Sequence, residues 1–143
     1  MRPMDPPLHE QAGGRAGIRA VLAEFYDTVF ADVMIGFLFK DSDKRRLIER
    51  ELELTLRALG ADVEYTGRPI AEVHAPFPIM GGHFMRRRQL LCDAMERHAL
   101  PAAVREAWLA HTDALRPQVT ADTSGECDAD AAARRVREHN EKR

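Results

Sequence analysis

The segment Tyr65-Thr-Gly-Arg-Pro69, followed shortly by Val73-His-Ala-Pro-Phe-Pro-Ile79, lies at the centre of this chain and decides how the rest is arranged. The two prolines of the second run exclude a long regular helix, because proline lacks an amide hydrogen and clashes with the preceding turn. We therefore predict an irregular region over residues 61–82, with one helical turn near residues 69–75. A small domain seldom keeps roughly 20 irregular residues near its core unless they serve a purpose.

Helical patterns of apolar residues flank this region on both sides. Before it, the spacing from Ile18 to Phe30 predicts one helix, and a second helix follows an N-cap at Asp41 or Ser42 and ends at Gly60. After it, a third helix is predicted over about residues 82–98, and Pro101 suits the first turn of a fourth. No segment alternates apolar and polar residues as a half-buried strand does. The fold class is therefore predicted to be all-α.

Glu51 interrupts the apolar face of the second predicted helix. Position 51 is four residues after Leu47 and three before Leu54, so a helix places all three side chains on one side. An ionised carboxylate is expensive to bury. The apolar pattern of this helix is therefore less clean than that of the first helix.

Composition limits the class of protein. The chain has 143 residues, 45% apolar and 31% charged, which predicts one folded domain. The net charge of −2 gives no broad electrostatic case for nucleic-acid binding, and two cysteines, Cys92 and Cys127, cannot form a disulfide framework. No apolar run is long enough to span a membrane, and the start lacks an export signal, so we expect no membrane partner and a soluble, cytoplasmic protein.

The domain is expected to occupy residues 13–119. Residues 1–12 are rich in proline and polar groups and are predicted to be a loose lead-in. Residues 120–143 are predicted to be a polar tail, since Val136 is the only large apolar residue of its last part.

Six histidines, at positions 9, 74, 83, 98, 111 and 139, are scattered without an H-x-x-H pair. From the residues alone, a hydrogen-bonded loop or surface histidine is the commoner situation for each of them.

Several short motifs occur in a fixed order along the chain. They are Gly13-Gly-Arg-Ala-Gly-Ile18, Ala23-Glu-Phe-Tyr-Asp27, Phe30-Ala-Asp32 with Gly36-Phe-Leu-Phe39, Ala58-Leu-Gly60, and the central segment with His83-Phe84 after it. Together they resemble the truncated (2-on-2) haemoglobins, colinearly from about residue 10 to 119. The resemblance implies a two-on-two helical sandwich around haem b.

The resemblance also implies roles for individual residues. His74 matches the proximal ligand of the iron, and Tyr26 matches the distal tyrosine whose hydroxyl donates a hydrogen bond to an iron-bound ligand. Either residue is otherwise an ordinary loop or core side chain. The remaining expected haem contacts are Phe39 on the porphyrin face, Leu47 at the distal gate, Leu54 and Phe84 in the pocket, and Arg50 and Tyr65 near the propionates. Arg50 and Tyr65 are equally consistent with solvated surface groups.

The sequence departs from the family at Glu51, where relatives often carry Gln or an apolar residue. Either Glu51 faces the ligand pocket in its protonated form, or the helix is rotated so that Glu51 pairs with Arg46, Arg50 or another partner. In the first case it acts as a proton donor or as an acid–base group.

A second departure is Arg86-Arg-Arg88, because relatives place Val or Trp at position 87. Three consecutive helical residues cover most of the circumference. Either one arginine reaches a propionate along the haem rim, or the helix shifts and leaves a basic surface patch. In relatives, the residue at position 87 lies against the proximal wall of the haem pocket or its ligand tunnel, and Trp108 is expected to add bulk near that wall.

The resemblance therefore predicts a globin that reversibly binds dioxygen or another diatomic ligand such as nitric oxide, with a reductase as a further partner. One alternative is a haem enzyme, either a nitric oxide dioxygenase or peroxidase-like, that uses Tyr26 and Glu51 as catalytic groups. Another is a haem-free helical module that kept the fold and lost the cofactor.

Overall fold

A computed structural model describes residues 5–121, and this part of the chain is entirely helical apart from its loops and turns. Its elements are α1 (Leu8–Gln11), α2 (Gly14–Ala31), a 3-10 turn (Gly36–Phe39), α3 (Lys44–Ala58), α4 (Ile70–His74), α5 (Gly81–Arg97) and α6 (Ala102–Val119). No strand occurs in residues 5–121, so the all-α prediction is confirmed. None of these helices is long and apolar enough to cross a membrane.

Four long helices form the two-on-two sandwich that the sequence predicted. Helix α2 packs against α3 and α5, and α6 packs against α3 and α5 as well as the short α4. The apolar stripe of α2 is buried from Ile18 to Val29, as its spacing required, and Phe30 at its end is partly buried against the core. The core between the helices is filled by large side chains without solvent exposure, among them Phe25, Leu22, Leu52, Leu91, Met95 and Trp108.

Trp108 belongs to this core and does not reach the wall where the sequence placed it. It is completely buried on α6, and its indole Nε1 has no hydrogen-bond partner within the described residues. The bulk that the sequence assigned to the proximal wall therefore contributes to the packing between helices.

The N-terminal boundary of the domain needs a correction. Residues 8–11 form α1 instead of a loose lead-in; Leu8 packs on the core, and the amide of His9 donates to the carbonyl of Leu59 at 3.1 Å. The close approach of α1 to α2 depends on Gly17, where a Cβ atom would lie 2.5 Å from the carbonyl oxygen of Ala12. Residues 122–143 of the predicted tail lie outside the described residues.

A second correction concerns the start of α3. Its N-cap is Asp43, whose carboxylate accepts a hydrogen bond from the amide of Arg46, and neither Asp41 nor Ser42 has this role. The central region is as predicted: α4 is a short helix of five residues, with irregular chain on either side of it.

Candidate functional site

A cavity of about 580 Å³ opens between the central segment and helices α2, α3, α5 and α6. Its volume lies within the range of small-molecule and cofactor sites. The structure brings all nine residues that the sequence singled out to its walls, namely Tyr26, Phe39, Leu47, Arg50, Glu51, Leu54, Tyr65, His74 and Phe84. Of the three consecutive arginines at positions 86–88, Arg87 is the one that lines the cavity. Residues that the sequence did not place there include His83, Phe77, Thr112, Leu115 and Val119.

His74 is the last residue of α4 and is about half-buried at the cavity wall. Its Nδ1 lies 2.8 Å from the carbonyl oxygen of Ile70, which accepts a hydrogen bond, so Nδ1 carries the proton. Its Nε2 has no hydrogen-bond partner among residues 5–121. Burial lowers the pKa of His74 below its usual value, which favours the neutral ring with a free lone pair on Nε2.

Tyr26 reaches the cavity from α2 and is almost completely buried. Its ring packs edge-on against three phenylalanines, Phe25, Phe30 and Phe39, with centroid distances of 5.0, 6.4 and 6.4 Å. Burial, together with the negative charge of Glu51, raises the pKa of Tyr26 to about 12. The hydroxyl therefore stays protonated at any physiological pH.

The cavity contains a buried ion pair. Nη2 of Arg87 lies 2.9 Å from Oε1 of Glu51, and each side chain is only 19% exposed. The same nitrogen donates to the hydroxyl oxygen of Tyr26 at 3.3 Å, and the guanidinium lies 4.9 Å from the centre of the Phe25 ring. Burial alone would lower the pKa of Arg87, but the charge of Glu51 acts together with Tyr26 and with the hydrogen bonds to both residues, and their combined effect raises that pKa.

The structure combines parts of both alternatives for Glu51, which faces the cavity and is paired with a partner other than Arg46 or Arg50. Glu51 faces the cavity, but as a carboxylate paired across the fold with Arg87 and not as an unpaired acid or a surface residue. Arg86 and Arg88 point away, toward Asp32 at 2.7 Å and Asp113 at 2.8 Å. The three arginines therefore do not form one basic patch, because each has its own carboxylate.

Arg50 and Tyr65 lie on the cavity wall and are held by protein partners. Nη1 of Arg50 donates to Glu53 at 3.1 Å and to the hydroxyl of Thr66. The hydroxyl of Tyr65 donates to the carbonyl oxygen of Arg68 at 2.7 Å. Arg46 and Arg68 also line the cavity, in addition to Arg50 and Arg87.

His83 is a second histidine on the cavity wall, at the start of α5. Its Nδ1 accepts a hydrogen bond from the amide of Met80 at 3.0 Å, and its ring packs edge-on against Phe37. His98 instead pairs with Glu24. His111 is partly buried on α6, and burial lowers its pKa.

Comparison with known proteins identifies what this fold is similar to. Residues 7–121 match the family model described as bacterial-like globin. The group 1 truncated hemoglobin GlbN of Mycolicibacterium paratuberculosis is 27% identical over 118 residues, 82% of this chain and 87% of that protein.

Solved structures agree on the fold. The truncated hemoglobin of Tetrahymena pyriformis, in the Fe(III) form, superposes with a TM-score of 0.74 at 21% identity, over 80% of this chain and 98% of that one. The 2/2 hemoglobin of Synechococcus, in the cyanomet state with covalently attached heme, gives a TM-score of 0.74 at 18% identity, over 80% of this chain and 98% of that one.

Proposed function

We propose that this chain, which belongs to the bacterial-like globin family and is a truncated globin, binds haem b. In this proposal His74 holds the iron, and the iron reversibly binds dioxygen or another diatomic ligand. The observation that carries the proposal is the state of His74. Its Nδ1 is engaged by the carbonyl of Ile70, which leaves Nε2 free at the cavity wall. A histidine that ligates a metal commonly donates its other ring N–H to a backbone carbonyl in this way.

The cavity fits the chemistry of haem, a large apolar disc with two carboxylates at one edge. Its walls are mainly aliphatic and aromatic, with Phe39, Leu47, Leu54 and Phe84 among them. Arg46, Arg50 and Arg68 would hold the propionates, because guanidinium groups bind carboxylates with directional hydrogen bonds. When bound, haem supplies an iron atom with a coordination position for a small ligand.

The chain's own groups on the ligand side are Tyr26 and the Glu51–Arg87 pair. The Tyr26 hydroxyl accepts a hydrogen bond from Arg87, so its own hydrogen is left to donate to another group. A buried donor stabilises a partly negative ligand more than it does in water. Leu47 has no hydrogen-bonding group, so its contribution on this wall is steric.

A second candidate function is a haem enzyme that acts on peroxide, or a nitric oxide dioxygenase. The peroxide reaction is favoured by one observation: a carboxylate and a guanidinium, Glu51 and Arg87, lie in the same cavity as Tyr26. A carboxylate positioned in this way can move a proton during peroxide cleavage. If this is the function, Glu51→Gln lowers the rate of peroxide consumption by about a hundredfold, and an unchanged rate rejects it.

The proposal is tested by haemin titration of the purified protein and of two histidine variants. We expect a Soret band that survives gel filtration in the wild type and in His83→Asn. The His83→Asn variant is the control, because His83 lines the same cavity and the amide oxygen of asparagine can still accept the hydrogen bond from the amide of Met80. His74→Ala is expected to lose or shift the band. Retention of an unshifted band in His74→Ala, with its loss in His83→Asn, would assign the iron to His83 instead. A wild type that never retains haemin would support the haem-free module.

A further inference from the structure

The hydrogen-bonding capacity around Glu51 and Arg87 is only partly used. Arg87 has five N–H donors, and within residues 5–121 it donates to Glu51 and Tyr26 through Nη2 alone. The hydroxyl of Tyr26 accepts from Arg87 and donates to no protein acceptor in the same part of the chain. Arg87 and Tyr26 both line the cavity, and donors without protein acceptors at such a wall fit a ligand that carries negative charge.

The same place contains a base. The Glu51 carboxylate is bonded to Arg87 through Oε1, and no hydrogen bond to its Oε2 occurs in the described part of the chain. Charged or titratable groups also face Glu51 from the surrounding elements: Tyr26 on α2, Arg50 on α3 itself, Tyr65 before α4, His74 on α4, Arg87 on α5 and His111 on α6. Arg87 is the cation in direct contact with the carboxylate.

We propose that this arrangement binds weak acids of the form H–X, such as hydrazoic acid, hydrogen sulfide or hydrogen peroxide, as the anion X⁻, with the proton transferred to Glu51. The H–X bond breaks with its electron pair on X, and an O–H bond forms at a carboxylate oxygen of Glu51. The N–H groups of Arg87 and the O–H of Tyr26 then donate to X⁻. The inference rests on the proposed function, because haem iron is the expected second contact of X⁻.

Conservation of buried charge is the physical reason for this ligand class. Before binding, the positive charge of Arg87 is balanced by Glu51; after binding it is balanced by X⁻, and Glu51 is neutral. A bare anion that entered without a proton would share Arg87 with the Glu51 carboxylate, and the repulsion between these two negative charges in a cavity of low dielectric favours the uptake of a proton by Glu51. A neutral diatomic ligand such as carbon monoxide has no proton to transfer and leaves the ion pair as it is.

The test uses the haemin-loaded ferric protein and sodium azide as the probe. In neutral solution azide is the anion, so binding with a protonated Glu51 takes up one proton from the buffer. We expect the Kd for azide to rise by about tenfold per pH unit between about pH 6 and 8, as linkage requires for one proton. Calorimetry in two buffers that differ in ionisation enthalpy counts the same proton directly.

Variants assign the proton and the anion contact. Glu51→Gln is expected to remove the proton uptake and flatten the pH dependence of the Kd. Arg87→Met is expected to weaken azide binding by about tenfold or more, through the loss of a charge-assisted donor. If either single variant fails to fold, the double variant removes both buried charges and is expected to bind azide weakly without proton uptake.

Matched controls exist on the same two helices. Glu49→Gln on α3 and Arg88→Met on α5 remove ion pairs with Arg19 and Asp113 that lie outside the cavity, and neither is expected to change azide binding.

The two levels of the proposal fail separately. A wild type without a Soret band overturns the haem proposal and this inference with it. Two results with a normal wild-type Soret band would overturn this inference alone. One is an azide affinity that does not depend on pH, and the other is an azide affinity that is unchanged in Glu51→Gln and in the double variant.

Discussion

Removal of both partners of the Glu51–Arg87 pair is expected to destabilise the protein no more than removal of one of them. Nη2 and Oε1 are 2.9 Å apart, which places the delocalised charges about 4 Å apart, and at an effective dielectric of about 20 they attract by about 4 kcal/mol. Because 19% of each side chain remains exposed, we lower the expected coupling to about 3 kcal/mol.

A double-mutant cycle of Glu51→Gln and Arg87→Met measures this coupling. Each single variant leaves a buried charge without its partner and is expected to lower the free energy of unfolding by about 3 kcal/mol, whereas the double variant loses no more than either one. The assay is urea unfolding of the four haemin-loaded proteins at equal haemin excess. An effect of one substitution on haem affinity alone then cancels in the cycle. Additive losses, with a coupling below about 0.5 kcal/mol, would refute the buried contact.

Three further predictions concern other parts of the molecule. Tyr26→Phe is expected to speed dioxygen dissociation from the ferrous protein by about tenfold, measured by stopped flow; an unchanged rate would remove Tyr26 as a donor to the ligand. Gly17→Ala is expected to lower the free energy of unfolding in urea by about 1–3 kcal/mol, because the added Cβ would lie 2.5 Å from a main-chain oxygen. Gly82→Ala is expected to be neutral or stabilising, because the space around Gly82 is open. Equal effects of the two substitutions would contradict the packing of Gly17. The hydrogen bond from Arg86 holds the pKa of Asp32 below its usual value, so the stability that ionised Asp32 gives is present above about pH 4 and is lost as the pH falls further. The difference in Tm between the wild type and Asp32→Asn should therefore decrease from neutral pH toward pH 3. A difference that stays constant would show that the charge of Asp32 does not contribute.

The long helices were predictable because their apolar spacing is set by burial on one face. The stripe on α2 and the break at Gly60 after α3 both appear in the structure. Helix α1 was missed because four residues carry no periodicity, and its position depends on a tertiary hydrogen bond from His9 to Leu59. The N-cap of α3 was misplaced because Asp41, Ser42 and Asp43 are all capable of capping.

Part of the cavity lining was also predictable from helical spacing. Helical spacing placed Glu51 with Leu47 and Leu54, and all three line the cavity. The motif around His74 placed that residue on the wall as well. The partner of Glu51 was not predictable from spacing, since it depends on how α3 and α5 face each other across the fold.

The two departures from the family pattern, weighed separately in the sequence, are one feature in the structure. Glu51 on the apolar face of α3 and Arg87 on the cavity side of α5 each carry a cost of burial that their own helix does not offset. Arg86 and Arg88 occupy the outward directions of α5 with their own carboxylates, which leaves Arg87 directed inward. Its contact with Glu51 lets both charges remain in the cavity. Because either charge alone would be uncompensated, a change of chemistry at this site requires that positions 51 and 87 be altered together.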